Sequence, residues 1–85
     1  MEIDYEKIDD MVLALLHLTS FEYRGGIRTW KGYDWDCLNR LHAKAMISDP
    51  RTKAKSVFLT DEGSKRSGDL FRKYFEKEGR RGTSA

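Results

Sequence analysis

Leu38-Asn-Arg-Leu-His-Ala-Lys-Ala-Met-Ile-Ser-Asp-Pro50 runs into Arg51-Thr-Lys-Ala-Lys55 and then Ser56-Val-Phe-Leu-Thr-Asp-Glu-Gly63. The leucines at 38 and 41 are helix-spaced, and Met46-Ile47-Ser48 begins a strand. Asp49-Pro50 starts a turn, because proline fixes φ and aspartate bonds the following backbone. Lys55–Leu59 is the return strand, with Val57 and Leu59 on one face and Phe58 on the other. Thr60 is a helix cap, and Asp61 and Glu62 suit the positive end of the helix dipole. The stretch therefore reads as helix, strand, basic turn, strand and capped helix.

Upstream, a first helix is expected from Asp4, an N-cap with Glu6 in the opening turn. Tyr5, Ile8, Val12, Leu15, Leu16 and Thr19 follow helical spacing, and Met11, Leu13, Ala14 and Leu18 widen that face almost all round. A helix apolar on every side is buried on every side, which in a small domain calls for a second subunit. Gly25-Gly26 marks a turn, and Ile27–Lys31 a short strand. Asp34 caps the second helix, whose core face is Trp35, Leu38, Leu41, His42 and Ala45. Asp36, Asn39, Arg40, Ala43 and Lys44 form its other face. The last helix carries Leu70, Phe71, Tyr74 and Phe75. The resulting expectation is an α+β fold of three helices and a small antiparallel sheet, ordered helix-strand-helix-strand-strand-helix. Residues 1–78 form one domain, and Gly79–Ala85 a disordered tail.

The 85-residue chain is 39% hydrophobic and 35% charged, a soluble globular composition with room for one core. Charge is uneven. Residues 1–10 hold five acids and one base, whereas residues 40–85 hold twelve bases and six acids. That asymmetry favours an anionic partner for the C-terminal half. The lone Cys37 excludes an internal disulfide and points to a reducing, cytoplasmic setting. The apolar run Met11–Leu18 is too short to span a bilayer and follows two aspartates, so no membrane anchor is expected.

Helix, two-stranded wing and helix in this order resemble winged-helix bacterial regulators, through Leu38, Leu41, Met46-Ile47, Val57, Leu59-Thr60 and Gly63. Residues 3–75 more closely resemble a family of small uncharacterised bacterial proteins. Its pattern is an Ile-Asp-Asp start, a Trp-Lys-Gly-x-Asp-Trp centre, and an Ile-Ser-Asp-Pro…Lys-Ser-Val…Leu-Thr-x-Glu-Gly end. The resemblance implies a winged-helix-like fold and no particular activity. A complete winged helix carries two helices before the wing. The fifteen residues between Leu18 and Asp34 hold three glycines, which implies a strand or hairpin in place of one helix.

Two functional expectations follow. In the first, a nucleic-acid-binding or regulatory module contacts DNA or RNA. Asn39, Arg40 and Lys44 read bases from the second helix, and Arg51, Lys53 and Lys55 neutralise phosphates. In the second, a protein-interaction module forms a homodimer through Met11, Leu15, Leu18, Phe71 and Phe75. Catalytic residues, cofactors and metal ligands are not expected. His17 and His42 lack a ligand spacing, and His42 reads as a hydrogen-bonded core histidine. Cys37 and His42 are five apart and do not face each other on a helix, so Cys37 reads as a structural thiol. Trp30, with Tyr23 and Tyr33, is a candidate aromatic platform, while Trp35 is assigned to the core.

Overall fold

The computed structural model describes residues 1–77; the expected tail, 79–85, lies outside the described residues. Helix α1 (Tyr5–Leu18) is followed by β1 (Ser20–Tyr23), β2 (Gly26–Trp30), α2 (Trp35–Ala43), β3 (Ser56–Leu59) and α3 (Asp61–Phe75). The fold is α+β, with a three-stranded antiparallel sheet in the order β1-β2-β3. The element order differs from expectation in two places. Ser20–Tyr23 is an additional strand, and Met46–Ser48 contributes only one bridge, Ile47 to Leu59.

The additional strand comes from the turn. Arg24 and Gly25 both have positive φ, 53° and 83°, as a two-residue type I′ turn requires. Tyr23 is thereby set opposite Gly26, so the turn lies one residue earlier than the Gly25-Gly26 pair suggests. A single glycine is enough to close the hairpin. Beyond it, β2 pairs with β3 through Ile27–Leu59, Arg28–Phe58, Thr29–Val57 and Trp30–Ser56.

Residues directly opposite one another share a face of the sheet. The inner face carries Ile27, Thr29, Val57 and Leu59. It closes on Leu13, Ala14 and Leu16 of α1, Leu38 and Leu41 of α2, and Leu70 of α3. Buried Thr29 is satisfied: its hydroxyl donates to the Leu16 carbonyl (2.7 Å) and meets the Thr19 hydroxyl (2.9 Å). Arg66 pairs with Asp10 (3.2 Å), and the Phe71 ring lies 5.2 Å from that of His17. Helices α1 and α3 therefore pack side by side and run in the same direction.

The buried face of α1 is not the one its spacing suggests. Leu13, Ala14 and Leu16 are buried, but Ile8 and Leu18 are exposed and Leu15 is only half-buried. Because apolar residues surround the helix, its own pattern could not select the core side. Trp35, assigned to the core from sequence, is 49% exposed. It occupies the first residue of α2, one position after the Asp34 cap, rather than the buried stripe of Cys37, Leu38 and Leu41.

Helix α2 ends in a Schellman motif. The Ala45 N–H bonds the His42 carbonyl (2.9 Å), and the Met46 N–H the Leu41 carbonyl (3.0 Å). Ala45 occupies the left-handed position at φ 63°, normally glycine's. Ala45→Gly is accordingly expected to stabilise the fold by about 1 kcal/mol. Urea unfolding followed by circular dichroism checks this, and an unchanged or lower midpoint counts against it.

Candidate functional site

Three regions bring chemically distinctive side chains together. The first is a buried ionic node between α1 and α2. Asp9 is 1% exposed. Its carboxylate accepts from Arg40 Nη2 at 2.8 Å and Nε at 2.9 Å, from Lys44 Nζ at 3.1 Å and from the Cys37 thiol at 3.1 Å. The Arg40 guanidinium also lies over the Tyr5 ring, 4.9 Å from its centre. Burial alone would raise the Asp9 carboxyl. Hydrogen bonds from Arg40, Cys37 and Lys44 outweigh it and hold the group below the ordinary carboxylate range. Burial, and then donation to Asp9, push the Cys37 thiol up to about 12. A thiol held protonated in this way is not a nucleophile at neutral pH.

Two of the expected base-reading residues belong to the node. Arg40 and Lys44 lie beside the buried Cys37 and Leu41, and both bind Asp9. Half-buried Asn39 alone is left of the three on the α2 face. From the sequence, Arg40 and Lys44 share a face of α2 with Asp36, Asn39 and Ala43, and Cys37 is not placed with them. That Cys37, Arg40 and Lys44 enclose a carboxylate of α1 is not legible there, since Asp9 reads like any acid in a first helix. His42 is hydrogen-bonded through Nδ1 to the Ile47 carbonyl at 3.1 Å.

The second region is the outer face of the sheet. Phe21, Arg28 and Phe58 lie side by side across the three strands, with Trp30 and Tyr23 on the same face. Trp30 is 54% and Tyr23 44% exposed. The Phe21 and Trp30 rings are 5.7 Å apart. Arg28 stacks 4.2 Å above the centre of Phe58 and is fixed by Nε and Nη2 donating to Ser56 Oγ and O, both at 2.6 Å. Gly26 leaves space for the Phe58 ring, which a Cβ there would meet at 3.0 Å. An open depression of about 360 Å³ lies among Phe21, Tyr23, Arg28, Ala54 and Ser56.

The loop beside this face carries the expected phosphate-neutralising residues. Arg51 is tied to Asp49 through its backbone N–H (2.9 Å) and Nε (3.0 Å), and the Arg51 bonds draw the Asp49 carboxyl down to about 2. Lys53 and Lys55 are exposed on either side of Ala54. Lys31 Nζ donates to the Pro50 and Thr52 carbonyls at 2.6 and 2.7 Å, which fixes the loop against the end of β2.

The third region is the outer side of α1. Ile8 is 39% and Leu18 62% exposed, and Met11 and Leu15 are half-buried without joining the core. The four are spaced i, i+3, i+7 and i+10. Of the other expected interface residues, Phe71 packs against the core, while Phe75 stacks on Phe71 at 5.6 Å and is 44% exposed. Among the described residues, no group of three His, Cys, Asp or Glu could hold a metal ion. No helix among them is long and apolar enough to cross a membrane.

These features define a small α+β domain with one buried ionic node and two uncovered apolar faces. Residues 4–77 match the family described as "Domain of unknown function (DUF6429)", and the chain belongs to that family. It is 53% identical over 77 residues to the uncharacterised protein y4hR of the bacterium Sinorhizobium fredii (strain NBRC 101917 / NGR234). The similarity covers 91% of this chain and all of that protein. No solved structure matches.

Proposed function

We propose that this protein is a non-catalytic interaction module of the cytoplasm that works as a homodimer through the outer side of α1. The observation that carries the reading is the Ile8, Met11, Leu15 and Leu18 stripe, exposed at Ile8 and Leu18, half-buried at Met11 and Leu15, and outside the core throughout. Its alternating three- and four-residue steps are those of a helix seam, in which side chains of one helix enter gaps of another. The occupant is a second copy. The acidic start of α1, with Glu2, Asp4 and Glu6, and the basic last turn of α3, with Arg72 and Lys73, lie at opposite ends of a pair of helices running the same way. A two-fold axis that sets the α1 helices antiparallel brings one copy's acids towards the other's bases.

The alternative of duplex reading by α2 is weaker in physical terms, because Arg40 and Lys44 are held by Asp9. The winged-helix comparison rests on α2, the Ile47 bridge, β3 and α3 following one another as helix, wing and helix, with one helix before them instead of two.

Light scattering on the intact chain is expected to give twice the chain mass. Leu15→Glu and Leu18→Glu place a charge at a desolvated seam and are expected to return the monomer mass with the circular dichroism spectrum unchanged. A monomer mass for the unaltered chain at high concentration removes the reading.

A further inference from the structure

We infer that the outer face of the sheet binds single-stranded nucleic acid by stacking bases on its aromatic side chains. The site lies apart from α1 and does not depend on dimerisation.

The face is aromatic without being merely apolar. Phe21, Trp30, Tyr23 and Phe58 share the face with one guanidinium, that of Arg28, held over the Phe58 ring by its bonds to Ser56. The four rings touch one another or a guanidinium, Phe21 against Trp30 and Arg28 over Phe58 and Tyr23, yet keep 37 to 54% of their surface exposed, with no element of the described fold laid over them. Any base offers a π-face, so a row of rings takes successive bases with little regard to sequence, and an arginine plane serves as a further stacking surface. Three strands about 4.8 Å apart give a platform roughly 10 Å wide, enough for two or three bases.

Charge selects the ligand. The strand residues on this face include one cation and no carboxylate, since Glu22 lies opposite Ile27 in the other set. Arg24 at the hairpin turn and Lys53 and Lys55 beside the depression place positive charge at two margins of the platform. Rings in the middle with cations at the margins match bases in the middle with phosphates at the margins. A second copy of the chain fits poorly, because face-to-face pairing brings two Arg28 guanidinia towards each other. Duplex DNA fits poorly as well, because its bases are stacked on one another and unavailable to the rings.

Fluorescence anisotropy of labelled oligothymidine, oligouridine and a duplex, titrated with the full chain at about 50 mM salt, tests the inference. Both single strands are expected to bind at least tenfold more tightly than the duplex, and a preference between them identifies DNA or RNA as the ligand. Trp30→Ala and Phe58→Ala are each expected to weaken binding about tenfold. Lys53→Glu, at an exposed loop position where folding is not at stake, is expected to weaken binding and flatten its salt dependence. Arg24, Arg28, Lys53 and Lys55 together predict a logarithmic salt slope of about −2 to −3. No binding up to about 100 µM protein overturns the inference. So does equal affinity for the duplex, or affinity unchanged in both Trp30→Ala and Lys53→Glu. A mass that halves in Trp30→Ala overturns it too, by showing the face to be a protein interface.

Discussion

Asp9→Ala is expected to destabilise the protein by about 2–3 kcal/mol, a sizeable share of the roughly 5–15 kcal/mol that holds a domain folded. The loss has two parts. The carboxylate's bonds to Arg40, Lys44 and Cys37 disappear, and two cations at the α1–α2 contact lose their counter-charge. The first part is the larger, because Asp9 is 1% exposed, whereas the Arg40 and Lys44 side chains, 33% and 37% exposed, can turn towards water. Replacing Asp9, Arg40 and Lys44 together by apolar residues of similar size should recover part of the loss through packing. Urea unfolding of the single and triple variants measures both effects. A change under about 1 kcal/mol in Asp9→Ala would mean the node contributes no more than a surface pair.

The same node gives the pH dependence a sign. The folded Asp9 carboxyl titrates below its unfolded value. Its contribution is present above the unfolded pKa, near 3.9, and is lost as pH falls through the lower, folded value. The unaltered protein should lose stability below about pH 4, and Asp9→Ala should lose less over the same range.

Gly63→Ala is expected to cost at least about 3 kcal/mol, from one added methyl group. A Cβ at Gly63 would overlap the Met46 carbonyl, and that carbonyl cannot withdraw freely. It accepts the Thr60 N–H at 3.0 Å, while the Thr60 hydroxyl donates to the Ala45 carbonyl at 2.6 Å and accepts the Gly63 N–H at 2.9 Å. The first turn of α3 is thus clamped against the end of α2 by groups with nowhere to move. Gly68→Ala supplies the contrast within the same helix. A Cβ there meets only His17 and Arg72 side-chain atoms, at 3.5 Å and beyond. Its better helix propensity should leave the protein as stable as before or more so, by up to about 1 kcal/mol. Thermal unfolding of the two variants should move in opposite directions. A Gly63→Ala variant no less stable than Gly68→Ala would show that the Met46 carbonyl yields to the added methyl and that the contact sets no cost.

Gly63 also shows how far the sequence could be read. Leu59-Thr60-x-x-Gly63 was recognisable as the signal of a capped helix after a wing. Its cap and register are local, set by the threonine hydroxyl reaching an N–H three residues on. The need for glycine is not local, because the clashing carbonyl comes from Met46, seventeen positions away. The hairpin divides the same way. A turn near Gly25 was legible, but β1 was not. Its four residues, Ser20–Tyr23, become a strand through their pairing with β2.

The candidate sites follow that division. Basic residues at 51–55 and aromatic residues at 21, 23, 30 and 58 could all be named from the chain. Their meeting beside one sheet face depends on strand register, which no single strand carries. Arg40 and Lys44 read as free cations because charge on a helix is visible in sequence, whereas its partner on another helix is not.

The sequence by itself determined the three helices, their caps at Asp4, Asp34 and Thr60, the α+β class and the over-apolar character of α1. Each follows from spacing or from hydrogen bonds within a few residues. The tertiary structure alone decided which side of α1 is buried, where Asp9 finds its counter-charges, and which aromatic rings share an open face. Those outcomes rest on contacts between elements distant along the chain, where packing and desolvation outweigh local preference.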